Sequence, residues 1–215
     1  MMYALYWASV TFVRCGNFAA AKPLINELVA LSDSKDALHW KAAGMLQRGR
    51  EQVLIGNPAE AISLFNRGLS MYKANGSTLI TIQYWADLAR VYADLGQFGD
   101  ASRCIREGTS LIETTGERWC EAEVNRVAGE IALKSPEADT AQAEANFEHA
   151  LIVARQQQAK SWELRAAISM ARLWRDQGKP DEARELLAPV YGWFTEGFDT
   201  LDLKEAKAPL DELPA

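Results

Sequence analysis

Val10, Arg50, Arg90, Glu130 and Arg172 recur at equivalent places roughly every 40 residues along this 215-residue chain. Arg126, Arg165 and Arg175 fall beside that column in the same periodicity, opposed by Glu123. On a helix, Arg165, Arg172 and Arg175 share one stripe. A guanidinium is a planar fork that matches a carboxylate, so residues of this type lining one wall would capture carboxylates. The chain as a whole carries a formal charge of −6. An arginine-rich wall would therefore invert the sign locally and focus the field on an acidic segment of a partner. The same residues have a second reading, in which they pair with acidic neighbours along the wall or are solvated.

Other chemistry has less material. There are two histidines, His39 and His149, and neither stands at metal-ligand spacing from a second ligand. Glu144 and Glu148 share a helix face without a convergent partner, which fits a solvated surface better than an acid–base pair. Cys15, Cys104 and Cys120 do not form a disulfide framework, and Cys104 and Cys120 read as small packing residues. No glycine loop of the G-x4-G-K-[S/T] type is present. No ATP hydrolysis, cyclic-nucleotide formation or other enzymatic activity is expected, and no cofactor or metal. The acidic balance argues against nucleic acid as a partner.

The elements that would position the arginines are legible as an internal repeat. The turns Gly16-Asn17-Phe18-Ala19-Ala20-Ala21, Gly56-Asn57-Pro58-Ala59-Glu60-Ala61, Gly96-Gln97-Phe98-Gly99-Asp100-Ala101 and Gly178-Lys179-Pro180-Asp181-Glu182-Ala183 share one form. A fourth unit in chain order, aligned by Ala143, has a longer turn without the glycine, Ser135 to Asp139. Four residues after each alanine stands a bulky apolar side chain: Ile25, Phe65, Ile105, Phe147, Leu187. Each preceding helix contributes a small residue: Ser9, Gly49, Ala89, Gly129, Ala171. Small opposite large is what a close helix pair requires. Ala21, Ala61, Ala101, Ala143, Ala183, Gly49 and Gly129 are thus the expected structural residues. Each unit reads as helix, turn, helix, with breaks at Ser32–Ser34, Asn75–Ser77, Thr115–Gly116 and Gln156–Gln158. Thr78 to Ile82 is β-branched and strand-like by propensity, but the register assigns it to a helix. Trp40, Trp119 and Trp162 stand near the starts of first helices and are expected to pack between units rather than form a ligand cage.

The opening stretch, Met1 to Val13, is apolar but lacks a basic leader, and it is shorter than the ~18–20 residues that span a bilayer. It reads as a core helix in a cytoplasmic protein with no membrane partner. It starts without a capping residue, which suggests a chain cut from something longer. Leu201 to Leu213 reads as a capping helix with Leu203, Ala206 and Leu213 inward, stopped or kinked by Pro209.

Trp85-x2-Leu88-Ala89-x2-Tyr92, then Ala101-x3-Ile105, resembles the tetratricopeptide repeat (TPR) signature. The unit is about 40 rather than 34 residues and lacks the proline that closes the second helix. This long variety resembles the repeats of large bacterial signalling ATPases and regulators such as the maltose-regulon activator. The tail, from Ser161-Trp162-Glu163-Leu164-Arg165 through Tyr191-Gly192-Trp193-Phe194-Thr195-Glu196-Gly197-Phe198, looks like the C-terminus of bacterial multidomain adenylate/guanylate cyclases, in which a cyclase and a P-loop ATPase domain come first. The resemblance implies an all-α, right-handed α-solenoid of about five TPR-like helix pairs with a C-terminal capping helix. As one domain over 1–215, its units span 2–33, 34–75, 77–115, 117–158 and 160–195, with a cap over 201–213. It further implies a non-catalytic interaction or sensing module, with a concave face lined by the first helices. That face would hold an acidic protein or peptide segment, from a partner or from other domains of the parent protein. The groove set is Arg50, Arg90, Arg126, Glu130, Arg165, Arg172 and Arg175. The alternative is a small-molecule sensor or an α-helical enzyme with a pocket in the groove.

Overall fold

A computed structural model describes residues 1–78 and 80–213. Among them the chain forms eleven helices and no strand: α1 (Met2–Arg14), α2 (Phe18–Ser34), α3 (Leu38–Leu54), α4 (Pro58–Ala74), α5 (Thr81–Asp94), α6 (Phe98–Thr115), α7 (Glu121–Lys134), α8 (Thr140–Gln156), α9 (Lys160–Asp176), α10 (Pro180–Gly192) and α11 (Leu201–Glu212). The turns inside the pairs are built by local chemistry. Gly16, Gly56, Gly96 and Gly178 all take φ between 73° and 76°, a left-handed conformation that costs glycine nothing. The next residue starts the second helix: Asn17 and Asn57 accept from the backbone N–H groups of Ala20 (3.2 Å) and Glu60 (3.5 Å). Where the fourth unit lacks the glycine, Asp139 caps instead, accepting from the N–H of Gln142 at 2.8 Å.

Consecutive helices pack as antiparallel pairs, and each odd-numbered helix also packs on the next odd one. No two even-numbered helices are packed together in this way. The first helices therefore form a continuous inner layer and the second helices a splayed outer one, which is how a helical solenoid acquires a concave side. The seam within each pair is tight. Ala21, Ala61, Ala101, Ala143 and Ala183 are all buried. Phe65 covers Gly49 so closely that a Cβ there would lie 2.9 Å from the ring, and Phe147 covers Gly129 in the same way. Replacing Ala101 with Leu is expected to overpack the α5–α6 seam by ~1–3 kcal/mol, read as a lower denaturant midpoint at unchanged slope. A neutral result would dissociate that alanine from the seam.

Three expectations are corrected. Thr78 to Ile82 is not helical throughout: α5 starts at Thr81, and Ile80 sits in the left-handed region at φ 69° (Leu79 lies outside the described residues). Burial of Ile80 and Ile82 offsets the roughly 1–2 kcal/mol that this conformation costs a β-branched residue. The first break falls at Lys35–Ala37, because the hydroxyls of Ser32 and Ser34 donate to the carbonyls of Val29 and Leu31 within α2 and leave the helix intact. Of the stop or kink expected at Pro209, the stop is not seen: α11 runs on to Glu212. Leu203, Ala206 and Leu213 are buried. No helix among the described residues is long and apolar enough to cross a membrane.

Candidate interaction surface

The inner layer carries an ion-pair ladder in which each rung joins one first helix to the next. Arg50 of α3 donates from Nε to Asp87 of α5 at 2.7 Å, with its guanidinium 4.4 Å from the centre of the Tyr84 ring. Arg90 of α5 donates to Glu123 of α7 at 3.0 Å. Arg126, also on α7, grips Glu123 with two bonds of 2.7 and 2.9 Å, reaches Glu130, and donates to Ser169 Oγ of α9 at 3.2 Å. Arg165 of α9 donates to Asp202 of α11 at 2.8 Å and lies 3.5 Å from Glu123. Nearer the open rim, Arg172 is 4.0 Å from Glu205, and Arg175 pairs with Asp176 and Glu212. By this bonding α11 stands on α9 as the first helix of a further unit, with polar residues such as Lys204, Lys207 and Asp211 outward.

Glu123 is the hub. Burial alone would raise its carboxyl, but Arg126, hydrogen-bonded to it, together with Arg165 and Arg90, holds it well below the usual carboxylate range. Arg126 and Glu123 are both buried, so this is a desolvated network whose members depend on one another. The arginine set read from the sequence thus lies on the inner layer, yet most of its charge is already matched from within. Of the column, Val10 is buried. Arg90, Arg172 and Arg175 keep between 36% and 42% of their side chains exposed, whereas Arg50 and Arg126 keep about a tenth or less.

Sequence reasoning did not single out Arg14, Asp87 or Asp202. Arg14 follows Val10 by one helical turn, a periodic signal that was available. It donates to Gln83 Oε1 at 2.7 Å, and its guanidinium lies 4.9 Å and 5.8 Å from the ring centres of Trp162 and Trp119. Trp162 in turn donates from Nε1 to the Trp119 carbonyl at 3.1 Å. These tryptophans do pack between units, and they also form a shelf for a cation. A Cβ on Gly16 would lie 3.2 Å from that of Leu201, so the α1–α2 turn meets the start of α11 across the inner side.

The remaining candidates have quiet surroundings. Burial pushes the thiols of Cys104 and Cys120 up, to about 11 and about 12, which keeps both protonated and unreactive. His39 is lowered by burial and lies 3.4 Å from the Tyr72 hydroxyl, and His149 lies 3.1 Å from Asn125 Oδ1. Among the described residues no cluster of three or more His, Cys, Asp or Glu side chains is placed to hold a metal ion.

The tetratricopeptide repeat family model matches residues 82–107 and 164–189, the α5–α6 and α9–α10 pairs. These two helix pairs are therefore similar in sequence to tetratricopeptide repeats. Similar solved structures include the nearly identical TPR-like repeats of a Podosopora anserina protein of the kinesin light chain type. It superposes with a TM-score of 0.58 at 16% identity, covering 89% of this chain and 93% of that one. A point-substituted form of the same protein gives a TM-score of 0.60 with the same identity and coverage. At that identity the likeness shows the fold, an all-helical TPR-like solenoid. No curated protein matches the chain in sequence. Repeats of this kind generally mediate contacts between proteins and typically serve as non-catalytic scaffolds.

Proposed function

We propose that the protein is a non-catalytic interaction module that takes an acidic segment of a partner protein along the rim of its inner layer. The observation that carries this reading is the contrast within the arginine ladder. Arg50 and Arg126 are spent on buried pairs that hold the helices together, whereas Arg90, Arg172 and Arg175 are partly exposed. The rim pair of Arg172 with Glu205, at 4.0 Å between two half-exposed groups, contributes at most ~1 kcal/mol. An incoming carboxylate exchanges with Glu205 at little cost. The resemblance to the C-terminal region of bacterial cyclase–ATPase proteins supports a regulatory role beside such domains in the cytoplasm.

The test uses Arg172→Glu and Arg175→Glu together and leaves Arg50 and Arg90 in place, because reversing either would set two carboxylates against each other, at Asp87 or at Glu123. With the partner identified by cross-linking in the native cell, affinity is expected to fall at least tenfold. For the unmodified protein, affinity should also weaken steadily as salt rises. Unchanged affinity with a flat salt response would assign the contact to another surface.

A further inference from the structure

Beneath the rim, a cavity of about 170 Å³ opens between the α1–α2 turn, α3, α5, α9 and the start of α11. Its floor carries Arg14, Arg50, Arg90 and Arg165, and its mouth carries Phe18, Leu54 and Leu201, each more than a third exposed. Two acids also line it, but Asp87 is engaged by Arg50 and Asp94 by Lys134. Arg14 differs from the other floor arginines. Among the described residues no carboxylate stands within salt-bridge distance of it, and its neutral partner is Gln83. Its Nε is buried without a hydrogen-bond partner, as is the Nε of Arg90, which stands 3.9 Å from Glu130. Burial and the proximity of Arg50 and Arg165 depress the pKa of Arg14, from a value so high that the guanidinium stays charged.

A partly buried cation with no carboxylate in contact is costly, and a buried donor left idle on it adds to the cost. The tryptophan shelf beneath it supplies part of the compensation. A carboxylate would supply the rest, and the apolar mouth favours an aliphatic group attached to it. At about 170 Å³ the space is smaller than the ~300–1,000 Å³ typical of drug-sized ligands, so the molecule is small. Adjoining cavities of about 240 and 140 Å³ share Arg165 with it, which leaves room for a longer tail.

We propose that this cavity binds a small aliphatic carboxylic acid, with its carboxylate on Arg14 and Arg90 and its hydrocarbon against Phe18, Leu54 and Leu201. The bound acid bridges the α1–α2 turn to α11 and so fixes how tightly the two ends of the solenoid close. This makes the module a sensor as well as a contact surface, and the site does not depend on the acidic-segment reading.

The test titrates the full chain with hexanoate, with hexanamide as the uncharged isostere and with hexyl phosphate, reading melting temperature and tryptophan emission from the Trp119–Trp162 shelf. Hexanoate is expected to raise the melting temperature in a concentration-dependent way and to change the emission, with hexanamide at least tenfold weaker. Arg14→Gln should weaken hexanoate at least tenfold while leaving the ligand-free melting temperature unchanged or higher. Leu54→Glu, at an exposed position, should do the same if Arg14→Gln folds poorly. Equal binding of hexanoate and hexanamide, no binding of hexanoate at about 20 mM, or full binding by both variants would overturn the proposal. Preference for hexyl phosphate would overturn the carboxylate assignment. Failure here with loss of partner binding in the rim variant leaves the interaction module standing, and the reverse pattern leaves only the sensor.

Discussion

Glu123→Gln is expected to destabilise the protein by about 3–5 kcal/mol, the usual cost of breaking a buried ion pair from one side. Glu123 is buried and is bonded twice by Arg126 and once by Arg90, with Arg165 at 3.5 Å. A neutral amide offers one acceptor in place of a charge and turns a donor group toward guanidiniums that are already donors. Three arginines are left facing one another, and the α5–α7 and α7–α9 contacts lose the charge that bridges them. For a chain of this size each kcal/mol corresponds to ~2–4 °C, so the melting temperature should drop by roughly 6–20 °C. The pH dependence follows the same carboxylate. Its pKa in the folded protein lies below its unfolded value, so the unfolded state takes up the proton first as pH falls. The stabilisation is fully present above the unfolded carboxylate pKa, near ~4.3, and is lost as pH drops from there through the folded value. Urea titrations between neutrality and about pH 3 should show a decline in the wild type that is shallower in Glu123→Gln. A variant within about 1 kcal/mol of wild type at neutral pH would mean the hub contributes no net stability.

Phe147→Ala is expected to cost ~3–5 kcal/mol, because it removes a fully buried ring and leaves a cavity in the seam. The ring lies directly against Gly129, where an added Cβ would stand 2.7 Å from Phe147 Cδ1 and closer still to Cε1. Gly129→Leu alone is therefore also destabilising, by ~1–3 kcal/mol, despite the better helix propensity of leucine. Together the two changes place a large side chain where the ring was, so the double variant should be less destabilised than the sum of the singles. A coupling energy of at least ~1 kcal/mol, measured as a double-mutant cycle, would establish the small-opposite-large pairing. Strict additivity would show that the two residues do not share the seam.

The helix pairs were determined by the sequence alone, since their causes are local. A glycine that takes positive φ, an asparagine or aspartate that caps, and a small residue set against Phe65 or Phe147 act within one unit, so their recurrence can be read by eye. The arginine stripe was also legible, because side-chain direction on a helix follows periodicity. Of its partners, Glu123 and Glu130 were legible as local neighbours of Arg126, but Asp87 and Asp202 were not. These two meet arginines 37 residues away, and which carboxylate reaches which distant guanidinium depends on the rotation between neighbouring units. That rotation is small in each unit and accumulates along the chain. It brought Arg14 onto Trp162 and Gly16 beside Leu201, contacts between the two ends of the solenoid that no spacing in the sequence encodes. The left-handed Ile80 was decided the same way: propensity and register concern the local backbone, whereas burial of that side chain depends on the finished packing around it. Tertiary structure therefore settled which arginines are spent holding the inner layer together and which keep donors to offer, because the depth and counter-ions of a charge belong to the assembled solenoid rather than to any one helix.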